Sequence, residues 1–353
     1  MLVLDHCIFS LQTAGGISSW WAEHTRLACQ RYGDRVCHKG LYANNNLYLK
    51  AEEIVPAEQP RAGRLPLLWP FQPVDLPPQA TVFHSSYLRF CNRRANAATV
   101  FTFHDDIWLS HRSPAAMLKA NRTANCLAKA TLIHCISSFS KRVLLERYPW
   151  VPESRIRVVY HGFSPAPPAN PINQISRLSG PYALWVGNRH FYKNGFITIG
   201  ALGKLPGINL VLVGGEPLSA KERNEIARLK LHDRIHSLTR VSSSELTWLY
   251  QNAVALWYTS LNEGFGMPVI EAAAQRCPVL ASAGHSVEEI GRGWPIVSAN
   301  PTSSWLAKET ERLLSSETLR KKLGDEGPAL ARYYSWDRYS DGITSVYEEL
   351  GLC

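Results

Sequence analysis

The sequence predicts an α/β chain of two parallel-sheet units, on three observations. Short apolar runs alternate with longer amphipathic stretches almost throughout, the order that parallel strands joined by crossover helices require. The proline-rich polar stretch "FSPAPPANPINQISRLSGP" (163–181) interrupts that alternation once. The 353 residues suffice for two domains of ordinary size, each able to bury its own core. With 45% hydrophobic and 19% charged residues, a disordered chain is excluded.

In the first half, "MLVLDHCIF", "TVFHSS", "TVFTFHD", "ATLIHCIS" and "IRVVYHG" read as strands, with helices between them over 17–31 and 113–129. Residues 166–180 read as the linker, because their prolines and polar residues do not support regular structure. In the second half the strands are "YALWVG", "INLVLVGG", "RIHSLT", "AVALWYTS" and "CPVLAS". Ser242 with Glu245 three residues on forms a capping box that announces one of the helices between them. Near the end, Trp336, Tyr339, Ile343, Val346, Tyr347 and Leu350 recur at helical spacing and give an amphipathic helix with a face to bury. The expected architecture is two Rossmann-like domains, 1–165 and 181–335, followed by a closing helix over 336–353.

The formal charge of +9 favours an anionic partner without choosing among them. Zinc-finger spacing, an RNP-like aromatic motif and a block of five consecutive Lys/Arg are all missing, so no nucleic-acid partner is expected. Arg89, Arg93 and Arg94 make a basic cluster suited to an acidic membrane surface. The eight cysteines are scattered without a C-x-x-C, and several sit in apolar runs, which predicts reduced, buried thiols. The opening "MLVLDHCIF" lacks a basic n-region and a long apolar h-region, and no stretch of eighteen uninterrupted apolar residues follows. A cytoplasmic protein, peripheral on the inner face of the membrane, is the expectation.

The chemistry concentrates in "SLNEGFGMPVIEAAAQRCPVLAS" (260–282). Pro268 suits the first turn of a helix, where its missing N–H would have no intrahelical partner. The preceding "LNEGFGM" is then a strand-to-helix connection, at the carboxyl ends of the strands where open α/β sheets bind ligands. Its glycines let the backbone approach a ligand, and the exposed N–H groups of a helix start attract an anion such as a diphosphate. Carboxylates beside a diphosphate repel it unless they face neutral groups, and sugar hydroxyls are such groups. Glu263 and Glu271 are therefore candidates for holding a donor sugar and a ribose, each charge-assisted hydrogen bond contributing roughly 1.5–3 kcal/mol.

"EGFGMPVIEA", a Glu-x7-Glu followed by "PVLAS", resembles the signature of retaining glycosyltransferases of family 4 (glycosyl transferases group 1), which share the GT-B fold of two Rossmann-like domains with parallel sheets facing across a cleft. "AGGISSWWAEH", "TFHDD", "ISSFSKRVLLERYPWVPESRIRVVYHG", "YALWVGNRHFYKN" and "YYSWDRYSDGITSVYEEL" are similar to further family stretches, and 41–80 matches none. The resemblance implies that the closing helix crosses back onto the first domain. Carried over by position, Glu263 would bind donor-sugar hydroxyls, Glu271 the ribose, and Gly264, Phe265, Gly266, Met267 and Gly187 would line the donor pocket. Arg189 and Lys193 would pair with the diphosphate and stabilise the charge that develops as it leaves. Gly15 and Gly16 would pass close to the reacting centre, and His104, with Asp105 beside it, would contact the donor sugar. Ser137-Ser138 stands where many relatives carry Ser-Glu. The implied reaction transfers a hexose-type sugar from a GDP- or UDP-linked donor to a saccharide or lipid-linked acceptor, with retention and without a cofactor or metal, as in bacterial surface polysaccharide synthesis.

Taken singly, these residues have plainer readings. A lone Glu-x7-Glu is solvated helix surface, Arg189 and Lys193 are surface charges, and His104 and His84 are satisfied buried histidines. His84 has an acceptor-side role as its other reading, and Trp20 and Trp21 read as core. Two other functions remain open: a nucleotide-sugar epimerase, which needs no acceptor, and a non-catalytic nucleotide-sugar binder. A dehydrogenase is disfavoured, because no strand is followed by G-x-G-x-x-G.

Overall fold

The computed structural model describes residues 1–13, 15–40, 46–48, 73–92, 96–106, 113–164, 167–172, 175 and 178–352. They form two compact units: Met1–Gly162 together with Trp336–Cys353, and Phe163–Ser335. In the first unit six strands, β1 (Leu2–Asp5), β2 (Val36–Lys39), β3 (Val82–Ser85), β4 (Ala98–Phe103), β5 (Leu132–Cys135) and β6 (Ile156–Val158), form a parallel sheet in the order β2-β1-β3-β4-β5-β6. Between them run α1 (Cys7–Leu11), α2 (Gly16–Tyr32), α3 (Pro114–Lys129) and α4 (Ser138–Arg147). Ser113 caps α3 and Ser137 caps α4, each side chain accepting from the amide three residues on.

The run "MLVLDHCIF" is not one strand. β1 ends at Asp5 and the chain turns at His6 into α1, where the Ile8 amide donates to the Ser86 hydroxyl at 3.1 Å. Apolar continuity hid the break, because Asp5 is itself fully buried and ion-paired with Arg89 at 2.6 Å. Arg89 is therefore withdrawn from the basic cluster expected to meet a membrane, and Arg93 and Arg94 lie outside the described residues. The strand β2 was unforeseen, since "VCHK" carries no apolar alternation and is only half-buried at a sheet edge. Among the described residues no helix is long and apolar enough to cross a membrane. The described cysteines are free thiols; Cys353 lies outside the described residues.

The second unit repeats the plan. Its strands are β7 (Tyr182–Val186), β8 (Asn209–Val213), β9 (Ile235–Leu238), β10 (Ala255–Tyr258), β11 (Val279–Ser282) and the three-residue edge strand β12 (Ile296–Ser298), all parallel, in the order β12-β11-β10-β7-β8-β9. Its helices are α5 (Phe196–Leu202), α6 (Ala220–Arg228), α7 (Ser243–Asn252), α8 (Met267–Ala274), α9 (Ser286–Gly291), α10 (Ser303–Ser315) and α11 (Glu317–Tyr333). The Ser242–Glu245 capping box opens α7, each partner satisfying the other's amide. Ile172 and Ile175, within the stretch read as a linker, are buried in this unit.

Helix α11 packs on α8 at Gly327, where a Cβ would come within 2.5 Å of the Ala273 carbonyl oxygen. The obstruction is backbone and cannot rotate away. Gly327→Ala should therefore displace α8 and destabilise this unit by about 1–3 kcal/mol, read as a lower denaturant midpoint. An unchanged midpoint would mean that the two helices do not need this approach.

The chain closes with α12 (Trp336–Glu349), which belongs to the first unit and buries Tyr339, Ile343, Val346 and Tyr347 in its core beside Trp20, Trp21 and Val100. A hydrogen-bonded chain of neutral groups fastens it. Tyr339 Oη lies 2.8 Å from His24 Nδ1, and Tyr347 Oη lies 2.9 Å from His24 Nε2 and 2.6 Å from His84 Nδ1. His84 Nε2 reaches Thr102 Oγ1 at 2.7 Å, which meets His134 Nδ1 at 3.1 Å, and His134 Nε2 meets the Val159 carbonyl at 2.9 Å. A carbonyl only accepts, so His134 must carry its proton on Nε2. The direction then propagates back: Thr102 donates to His134, His84 to Thr102, Tyr347 to His84, His24 to Tyr347 and Tyr339 to His24. Burial lowers the pKa of His24 to about 3 and of His134 to about 4, and that of His84 well below the usual range. His84 is thus a core residue, as are Trp20 and Trp21.

Candidate active site

The second sheet, read from β9 as β9-β8-β7-β10-β11-β12, reverses its chain order between β7 and β10. Open α/β sheets bind ligands outside the carboxyl ends of the strands at such a reversal. The two stretches singled out in the sequence leave these two strands: residues 187–195 follow β7 and residues 259–266 follow β10.

Each loop is fixed by the other's strand. Thr259, just past β10, receives a hydrogen bond from Trp185 Nε1 at 3.2 Å, and its Oγ1 lies 2.9 Å from the Lys193 carbonyl and 3.2 Å from that of Asn194. Gly187, at φ +152, holds a backbone conformation in which a side chain would be strained, and lies beside the Lys193 stem. On the other loop, Ser286 Oγ donates to the carbonyls of Glu263 (2.7 Å) and Phe265 (2.9 Å). His285 Nδ1 caps α9 by accepting from the Val287 amide, so its Nε2 donates to the Ser260 carbonyl at 2.9 Å. Helix α8 starts at Met267 with Pro268 in its first turn, behind an N-cap, Gly266, at φ +104, where a side chain would be strained.

This scaffold brings Lys193 and Glu263 together. Lys193 Nζ lies 2.5 Å from Glu263 Oε1, with both side chains largely buried. The ammonium also lies 5.5 Å and 5.8 Å from the ring centroids of Tyr192 and Tyr258. Glu271, in the second turn of α8, accepts from the Tyr250 hydroxyl at 2.9 Å, and burial raises its pKa above the ordinary carboxylate value. Lys193 and Glu263 thus meet beside the start of α8 at the sheet reversal, with Glu271 further along that helix.

Arg189 takes a different place from the one expected. Its guanidinium is 3.6 Å from Glu222 and donates to the Glu216 carbonyl and the Ser237 hydroxyl, each at 2.7 Å. The 3₁₀ turn Phe191–Lys193 separates the two basic side chains, and only Lys193 meets Glu263.

His104, Gly15 and Gly16 belong to the first unit. His104 follows β4 and lines a small hollow with Ile17, Tyr87 and Asp105. It is buried edge-on to Trp20 at 5.0 Å, and burial lowers its pKa to about 3, so it is a neutral imidazole. Gly15 opens α2 in an extended conformation, and a Cβ there would crowd the Gln12 side chain at 2.6 Å; a Cβ at Gly16 would meet open space. Sequence reasoning missed Tyr250, Tyr258, Thr259, His285 and Ser286. Tyr250 lies within α7 and carried no signal; that of the others was position alone, at the end of an apolar strand or in a polar pair, "HS", opening the next helix.

Two family models match successive parts of the chain: "Glycosyl transferases group 1" over residues 172–329 and "Glycosyltransferase Family 4" over residues 55–166. The chain belongs to this family of GT-B glycosyltransferases. It is 30% identical over 223 residues to an uncharacterized glycosyltransferase of Methanocaldococcus jannaschii, a match covering 62% of this chain and 59% of that protein. Over 75 residues, 21% of each chain, it is 43% identical to the O-antigen chain mannosyltransferase RfbU of Salmonella typhimurium. Among solved structures, Anabaena HepE in complex with UDP and glucose superposes over 99% of both chains with TM-score 0.77 at 18% identity, a likeness of fold.

Proposed function

We propose that this glycosyltransferase moves a hexose-type sugar from a GDP- or UDP-linked donor to a saccharide or lipid-linked acceptor, with retention, in bacterial surface polysaccharide synthesis. The observation that carries this reading is the Lys193–Glu263 pair beside the start of α8 at the sheet reversal. In this reading Glu263 holds donor-sugar hydroxyls, Glu271 the ribose, and the α8 amides with Lys193 the diphosphate. Roles in transfer for His104, Gly15 and Gly16 rest on the family resemblance. Lys193 and the amides neutralise the leaving diphosphate, so that no metal or cofactor is needed. The acceptor hydroxyl attacks on the leaving group's own face and passes its proton to the departing phosphate. The mannosyltransferase relative and the neighbour solved with UDP-glucose support a nucleotide-sugar donor, and the charge of +9 supports a peripheral contact with acidic lipid.

A thermal-shift panel of GDP- and UDP-sugars tests the donor: binding to the folded state should raise the unfolding midpoint. No stabilisation by any nucleotide diphosphate sugar would sink the reading. Retention is read from the anomeric configuration of the product, and conversion of a donor without acceptor would instead favour an epimerase. Absence of binding to anionic vesicles at low salt would remove the membrane contact.

A further inference from the structure

We infer that Tyr258 is a positioning residue of the donor pocket, a reserve hydrogen-bond donor to the Glu263 carboxylate for the state in which Lys193 turns to the donor's diphosphate. This rests on the reading of the pocket as a nucleotide-sugar site. Tyr258 ends β10, directly under the loop that carries Glu263, and is 2% exposed. Its hydroxyl is buried and makes no well-formed hydrogen bond, although the Glu263 carboxylate already lies close enough to act on it. A buried phenol left unpaired is costly, and such groups call for an explanation. The hydroxyl points at the donor loop, 3.8 Å from where a Cβ on Gly266 would stand. Glu263 is its nearest charged influence after burial, and the Lys193 ammonium hangs over its ring.

The charge balance says when the hydroxyl is used. With the pocket empty, Glu263 is neutralised by Lys193 at 2.5 Å and needs no other donor. A diphosphate draws the ammonium away and brings further negative charge beside a carboxylate that is only 9% exposed. A neutral O–H next to that carboxylate then supplies the hydrogen bond the ammonium has given up, without adding a charge that would compete for the phosphate. The Tyr258 hydroxyl is too enclosed to touch the sugar itself, so it acts through Glu263.

The test is the affinity for UDP-glucose and GDP-mannose, measured by calorimetry on the parent, Tyr258→Phe, Glu263→Gln and the double variant. Tyr258→Phe should unfold at or above the parent's temperature, since it deletes an unpaired hydroxyl, yet bind its donor at least tenfold more weakly. In the Glu263→Gln background the same change should alter affinity less than twofold. Equal affinity of Tyr258→Phe and parent, or equal losses in both backgrounds, would overturn the proposal alone. A parent that binds neither probe would overturn the donor reading and this proposal with it.

Discussion

Lys193→Ala is expected to lower kcat for sugar transfer by roughly 10²–10³-fold, the usual consequence of removing one fixed group that stabilises charge arising in a transition state. On the proposed reading, the donor's diphosphate would become more negative at its bridging oxygen as the glycosidic bond breaks, so the loss should fall on kcat more than on the donor's KM. Arg189→Ala is the informative comparison. Its guanidinium is engaged by Glu222, Glu216 and Ser237, so it should affect stability more than kcat. A Lys193→Ala enzyme with kcat within threefold of the parent, or an Arg189→Ala enzyme losing as much as Lys193→Ala, would refute this division of roles.

The first unit should be acid-labile below about pH 6.5. His24 and His104 have pKa values near 3 and His134 near 4, all lowered by burial, whereas in the unfolded chain each titrates near the ordinary value of about 6.5. As pH falls, the unfolded state takes up protons first. Stability is therefore complete above about pH 7, declines below about 6.5 and levels off only below pH 3–4. At pH 5 each of the three contributes a loss of about 2 kcal/mol, together a large share of the 5–15 kcal/mol typical of a domain. The denaturant midpoint should drop steeply between pH 7.5 and 5.5, with near-UV signals of Trp20 and Trp21 lost first. A midpoint flat across that range would show that the histidines are not held neutral.

The second unit was the more legible of the two in the sequence, for a physical reason. Its central strands β7, β8, β10 and β11 are largely apolar runs, and its β10–α8 loop combines a Gly that must hold φ +104 with a Pro that must open a helix, both demands of the backbone that only particular residues meet. The edge strands β2 and β12 left no such trace, because a short, half-exposed strand is defined by its partner. The partners of Arg189 were hidden for a related reason: four residues of spacing do not say which way a side chain leaves a 3₁₀ turn. The histidine chain was invisible as a unit. Its members are 24, 84, 102, 134, 339 and 347, and only packing of α2, three strands and α12 brings them together.

Because α12 completes the first unit, the order in which this protein is synthesised is not the order in which it can finish folding. Residues 1–162 emerge first but lack Tyr339 and Tyr347 until all of 163–335 has followed. The contiguous second unit can close while the earlier one still exposes His24, His84 and an apolar groove to the ribosome's surroundings. A premature stop near residue 335 would spare the half of the molecule made last and leave the half made first without its final helix.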